Sequence, residues 1–206
     1  MKKIVLHWTA GAYKANSVDL AAYHFVIEGD GTVIKGKFPV SANAPGVPLV
    51  TGKYAAHTAG ANGGAIGVSL AAMHGAVEAP FKTGPYPITP AQVAAMVKLV
   101  ADLSAQYNIP VTRSTILTHA EVQGTLGIKQ KNKWDITWLP GYGKRSPVEI
   151  GDIIRQMVSN YRSAKALPSK ALDLQGADDL LAEAEKPIKE ARGFLKWLMS
   201  LFGGKK

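Results

Sequence analysis

Tyr23-His24-Phe25-Val26-Ile27-Glu28, running into Gly29-Asp30-Gly31-Thr32, decides what kind of sheet this chain builds. Residues 23–28 read as a strand. Gly29 and Gly31 tolerate positive φ and bracket a tight turn, and residues 32–36 read as the returning strand. An antiparallel hairpin therefore sits early in the chain. Upstream, residues 3–8 form a short strand that ends at a turn marked by Gly11. Downstream, residues 38–54 are rich in Pro, Gly and Ala and read as a loop, and residues 65–72 form an apolar strand. Thr89-Pro90-Ala91-Gln92 fits a capping box with proline at the first helical position. Val93, Met96, Val97, Val100, Leu103 and Tyr107 follow at helical spacing, and Asn108 and Pro110 end that helix. Residues 115–119 form another short strand, followed by a long loop with many lysines. Ser146-Pro147-Val148-Glu149 is a second capping box, opening a helix that buries Ile150, Ile153, Ile154, Met157 and Tyr161. Strands alternate with helices around one hairpin. That pattern predicts an α/β domain over residues 1–162, with a mixed central β-sheet flanked by helices.

Residues 163–177 lack periodicity and read as a linker. Residues 178–206 read as a C-terminal amphipathic helical appendage. Leu181, Ala184, Ile188, Ala191, Leu195, Leu198 and Phe202 recur along one helical face, and Pro187 should kink it. Its final third is apolar nearly all round and ends Gly203-Gly204-Lys205-Lys206, which suits either a membrane surface or packing against the domain.

The 206 residues are 47% hydrophobic and 19% charged, values of a globular chain. Cysteine is absent, which excludes disulfides, thiolate zinc sites and cysteine nucleophiles. The formal net charge of +9 suits an anionic partner, although lysine also serves simply as a solubilising residue. No nucleic-acid motif accompanies that charge, so no nucleic-acid partner is expected. The apolar run after Lys2-Lys3 is too short for a signal-peptide core, and no stretch has the length of a transmembrane helix. The expectation is a monomer made in the cytoplasm without a signal peptide.

Five histidines are present: His7, His24, His57, His74 and His119. His7 and His119 fall at the carboxyl ends of predicted strands, where open α/β sheets place their sites. Catalytic zinc takes three protein ligands and leaves one position open. Without cysteine, the third ligand would be a carboxylate or another histidine. Asp135 is one candidate, and in an extended segment Lys133 would face the same way. Glu121 is a competitor that could ligate, orient a ligand or cap local backbone. Tyr23 and His24 adjoin on a strand, so one of them faces the site.

His7-Trp8-Thr9-Ala10-Gly11 resembles the opening strand of the zinc N-acetylmuramoyl-L-alanine amidases, the superfamily that includes phage lysozymes and peptidoglycan recognition proteins. Four further blocks agree in order. They are Tyr23 to Ile27 with Gly29-Asp30-Gly31-Thr32; His57 with Ala65-Ile66-Gly67-Val68; Thr118-His119-Ala120-Glu121; and Lys133-Trp134-Asp135. The resemblance spans residues 1–160. It implies one Zn2+ per chain held by His7, His119 and Asp135, with Tyr23 and Lys133 assisting catalysis and His57 near the substrate. Some relatives carry glutamate where this chain has Ser69, which cannot serve as a base, so more of the work should fall on Tyr23. His74 has no counterpart and should be structural or exposed. The resemblance further implies peptidoglycan as substrate and a phage endolysin acting on the cell wall after release. The alternatives are a non-catalytic peptidoglycan-binding module, and an amidase of muropeptide recycling or antibacterial attack.

Overall fold

A computed structural model describes residues 1–166. The chain divides into two units, Met1–Ala166 and Leu167–Lys206, and the description below is of the first. The expected linker and appendage lie almost wholly outside the described residues.

Seven strands and four α-helices follow one another along the chain: β1 (Lys3–Trp8), α1 (Ser17–Ala22), β2 (Phe25–Ile27), β3 (Val33–Lys35), β4 (Ala65–Leu70), α2 (Pro90–Gln106), β5 (Ile116–Thr118), α3 (His119–Leu126), β6 (Trp138–Leu139), β7 (Gly143–Lys144) and α4 (Pro147–Ala166). The first five strands form one sheet in the order β3-β2-β4-β1-β5. β1 runs parallel to β4 and β5, β2 runs parallel to β4, and β3 is the antiparallel edge that makes the sheet mixed. The short β6-β7 hairpin stands apart.

β1 and β4 are central strands covered on both faces, which is why each reads as a nearly unbroken apolar run. Side chains alternate across the sheet. Ile4, Leu6 and Trp8 pack with Met96 and Val100 of α2 and Ile150, Ile154 and Val158 of α4, whereas Val5 packs with Ala61, Ala65 and Val122 of α3. Each large aliphatic side chain buried this way stabilises the fold by about 1.5–3 kcal/mol. α2 and α4 thus cover one face, and His7, next in alternation after Val5, projects from the other.

Both predicted capping boxes form. Thr89 and Gln92 cap α2 reciprocally, and Ser146 and Glu149 do the same for α4. Three expectations need correction. The strand expected over residues 23–28 begins at Phe25, because Tyr23 caps the end of α1, a helix set by its own Asn16–Asp19 capping box. The long loop expected after residue 119 opens with α3, since Glu121 caps it and Gly127, at φ 70°, ends it. Finally, α4 continues to Ala166, past the expected linker start at Ser163.

Candidate metal centre and active site

His7 lies near the carboxyl end of β1, and His119 is the first residue of α3, one step beyond β5. β1 and β5 are hydrogen-bonded neighbours, with Leu6 opposite Thr118, so the two rings come side by side with centroids 4.6 Å apart. Asp135 arrives on the segment before β6. Its carbonyl accepts from the Ala120 N–H at 2.6 Å, which docks that segment onto the first turn of α3. Asp135 Oδ2 then lies 3.1 Å from His7 Nδ1 and 3.2 Å from His119 Nδ1. All three residues are buried, and their ligand atoms lie within 4.8 Å of one another.

Two imidazole nitrogens and a carboxylate oxygen are donors that zinc accepts. A tetrahedral site with bonds of 2.0–2.1 Å has edges of roughly 3.3 Å, close to the separations from Asp135. The residues fit the metal. Electrostatics agrees. Burial pulls the His7 imidazole down to about 4, against the pull of Asp135. Burial pushes the Asp135 carboxyl up, but the His119 and His7 rings beside it outweigh burial and hold it below the usual carboxylate range. A neutral imidazole beside an ionised carboxylate is the protonation state that binding a divalent cation requires.

Behind His7, its Nε2 lies 3.3 Å from His57 Nδ1 and 3.4 Å from Thr58 Oγ1, and those two atoms are 2.8 Å apart. His57 lies flat on β4 because Gly67 has no side chain; a Cβ there would fall 2.5 Å from the ring. Burial drives His57 well below its ordinary pKa. His57, expected near the substrate, is 7% exposed and backs the His7 ring. His24 sits beside it, ring centroids 5.6 Å apart, and hydrogen-bonds the fully buried Asn43. Asn43 in turn bonds the backbone of Ala55 and Asn62, which ties the 43–62 segment together.

Of the remaining sequence candidates, Tyr23 meets the His7 ring at 5.1 Å, and burial followed by the Asp135 charge pushes its phenol up to about 12. Ser69 stands opposite His7 on β4, fully buried. Lys133 is exposed while Asp135 is buried, so the two do not share an environment, although the Lys133 charge is felt at His7. A cleft of about 480 Å³ beside Lys133 is lined by Ala120, Gln123, Gly124, Gln130 and Asn132 and by none of the three ligand candidates. Glu121 takes neither metal-directed option. One oxygen accepts from the Thr118 N–H at 2.8 Å, and the carboxylate pairs with Arg155 of α4 at 2.9 Å. His74 is exposed, as expected. A larger groove of about 640 Å³ runs between β3 and α2; it touches His24 but none of the three ligand candidates.

Gln130 and Thr58 escaped sequence reasoning. Gln130 lies among Lys129, Lys131 and Lys133 and reads as solvated loop, and Thr58 had no signal except its place beside His57.

The chain matches a family model described as N-acetylmuramoyl-L-alanine amidase over residues 1–141. No curated protein matches it. Among solved structures it is similar to the N-acetylmuramoyl-L-alanine amidase LysC from Clostridium intestinale URNW, at 20% identity and TM-score 0.44, covering 74% of this chain and 83% of that one. It is similar also to the Ph2119 endolysin from Thermus scotoductus MAT2119 bacteriophage Ph2119, at 15% identity and TM-score 0.43, with 76% and 83% covered. A third is the Drosophila peptidoglycan recognition protein PGRP-SA, at 15% identity and TM-score 0.42, with 73% and 77% covered.

Proposed function

Because the chain belongs to the N-acetylmuramoyl-L-alanine amidase family, we propose that it hydrolyses the amide bond between the lactyl group of N-acetylmuramic acid and L-alanine of the stem peptide. The observation that carries this reading is the convergence of His7, His119 and Asp135 from three separate parts of the chain. In this reading they hold one Zn2+. Zinc so held supplies a Lewis acid and brings the pKa of water from near 16 to roughly 7.

The chain's own groups do the rest. The two imidazoles offer neutral nitrogen lone pairs, and Asp135 supplies the compensating negative charge. Tyr23, kept protonated at neutral pH by burial, donates a hydrogen bond to position water or substrate and does not act as a base. In this reading Lys133 acts from the exposed rim. Its ammonium stabilises the oxyanion that forms on the lactyl carbonyl, a contribution of roughly 3–4 kcal/mol for one well-placed donor. Water adds across the C–N bond, leaving a lactyl carboxylate and a free L-alanine amine.

In biological terms the reading is a phage endolysin, made in the cytoplasm and acting on the wall after release. The net charge of +9 supports it, since bacterial walls are anionic. Residues 1–166 would be the catalytic domain, and 178–206 would contact a membrane surface.

Digestion of purified sacculi, with and without a chelator and then with zinc added back, tests the proposal. New L-alanine amino termini without new reducing sugar ends, lost on chelation and restored by zinc, are expected. Sedimentation with sacculi and no release under any condition would replace the enzyme with a binding module.

A further inference from the structure

We infer that Gln130 fixes the tautomer of His119 and thereby makes its Nδ1 the metal-binding atom; the inference rests on the metal reading above. Gln130 is buried, 9% exposed, with its backbone N–H donating to Gln123 Oε1 at 2.9 Å. Its amide nitrogen donates to the Ala59 carbonyl at 2.8 Å and to the Ile128 carbonyl at 3.4 Å. Turning the amide over would set its oxygen against two carbonyl oxygens, so the hydrogen-bond network assigns which end is which. Oε1 is therefore the end that faces His119 Nε2, at 2.9 Å.

An amide oxygen only accepts, so His119 Nε2 must carry a hydrogen. Imidazole ligates a metal through its unprotonated nitrogen, and with the hydrogen held on Nε2 that nitrogen is Nδ1. That nitrogen faces Asp135 Oδ2 at 3.2 Å. The two atoms are thus placed to share one cation. Donation of the second ring N–H to a fixed acceptor is how proteins orient and hold metal-ligating histidines. Gln130 does more than choose the tautomer. Ala59 adjoins Thr58, whose hydroxyl and the neighbouring His57 stand behind His7. One side chain thus ties the segment supporting His7 to the ring of His119. Gln130 is a positioning residue that touches no substrate.

The test uses the full chain and two variants. Gln130→Met keeps the length and removes both hydrogen-bonding functions. Gln130→Glu keeps an acceptor for the His119 N–H while losing the donor to the Ala59 and Ile128 carbonyls and adding a charge. Zinc affinity is read by competition with a chromogenic chelator, and the His119 tautomer by ¹⁵N spectroscopy of the zinc-free protein. Gln130→Met is expected to bind zinc about 10–100-fold more weakly, and Gln130→Glu to stay within a few-fold of the parent. Equal losses in both variants would reduce Gln130 to a structural role and overturn the inference, as would unchanged affinity in Gln130→Met. Should Gln130→Met fail to fold, the parent spectrum decides alone: a proton on Nδ1 of His119 overturns the proposal. A parent that shows the Nε2 proton yet binds no zinc would sink the metal reading and leave the tautomer assignment standing.

Discussion

Lys133 separates holding the metal from doing the chemistry. It is exposed and makes no hydrogen bond or ion pair among the described residues, so its loss should leave the three ligand candidates where they are. Lys133→Ala is expected to retain zinc and the parental melting temperature while kcat on sacculi falls by about 10²–10³-fold. Full activity in that variant would remove Lys133 from the mechanism. His24 makes a different prediction. The Gly67 N–H donates to its Nδ1 at 2.9 Å, so its proton sits on Nε2, facing Asn43 Oδ1 at 3.1 Å. Protonating Nδ1 would set N–H against N–H, and burial already draws the pKa down to about 4. For a histidine with a folded pKa below the unfolded 6.5, the unfolded state binds more protons between the two values. The stability is therefore fully present above 6.5 and lost as pH falls towards 4, on the order of 3 kcal/mol for this group. Urea unfolding of the zinc-free protein at pH 7 and pH 4.5 should show that loss, and His24→Gln should flatten it; equal slopes in parent and variant would contradict the assignment. Metal chemistry restricts residue type, so His7 and His119 stood out in the sequence, while the choice of Asp135 over Glu121 came from the family resemblance. Gln130 and Asn43 did not stand out, because a buried amide is chosen by the partners folding brings to it.

α3 shows why a short functional helix hides in a sequence. His119-Ala-Glu-Val-Gln-Gly-Thr-Leu contains a glycine and buries one large aliphatic side chain, Val122, so no apolar periodicity announces it. α2 and α4 were readable because their apolar faces repeat over four turns or more behind capping boxes. α3 is held instead by charge. The Glu121 carboxylate, fully buried, caps its first turn and pairs with Arg155, itself 7% exposed at the side chain. Arg155 also donates to the Ile116 carbonyl, linking α4 to β5 as well as α3. Gly151 on α4 makes room, since a Cβ there would overlap the Glu121 carboxylate. Arg155→Met should leave Glu121 charged, buried and unpaired, at a cost of about 3–5 kcal/mol. The Glu121→Gln/Arg155→Met double variant should recover part of that loss, because the uncompensated charge is gone. Gly151→Ala should destabilise with both partners intact. Denaturant midpoints of the three variants check this; a small effect from Arg155→Met would mean the pair adds little to α3.

Across the whole molecule, fold class followed from alternation of strands and helices around one hairpin, and the division of labour along the chain is what remains to be measured. Every strand of the five-stranded sheet, both apolar clusters and all the candidate site residues lie within 1–166. That stretch also carries 17 of the 24 Lys and Arg against 9 of the 15 Asp and Glu, so most of the positive charge resides there. Among the described residues no helix is long and apolar enough to cross a membrane. A chain ending at Ala166 is therefore expected to melt within a few degrees of the full protein, to keep zinc, and to bind sacculi in a manner weakened by salt, since the Debye length shrinks from roughly 10 Å at 0.1 M to 3 Å at 1 M. Binding to anionic vesicles divides the two sources of membrane affinity. Amphipathic burial survives added salt far better than attraction between exposed charges does. If 178–206 is the membrane element, the full chain binds vesicles in high salt and the shortened chain does not. Equal, salt-sensitive binding by both would credit the basic body alone, and a large drop in melting temperature on truncation would mean that the 167–206 segment contributes to the fold.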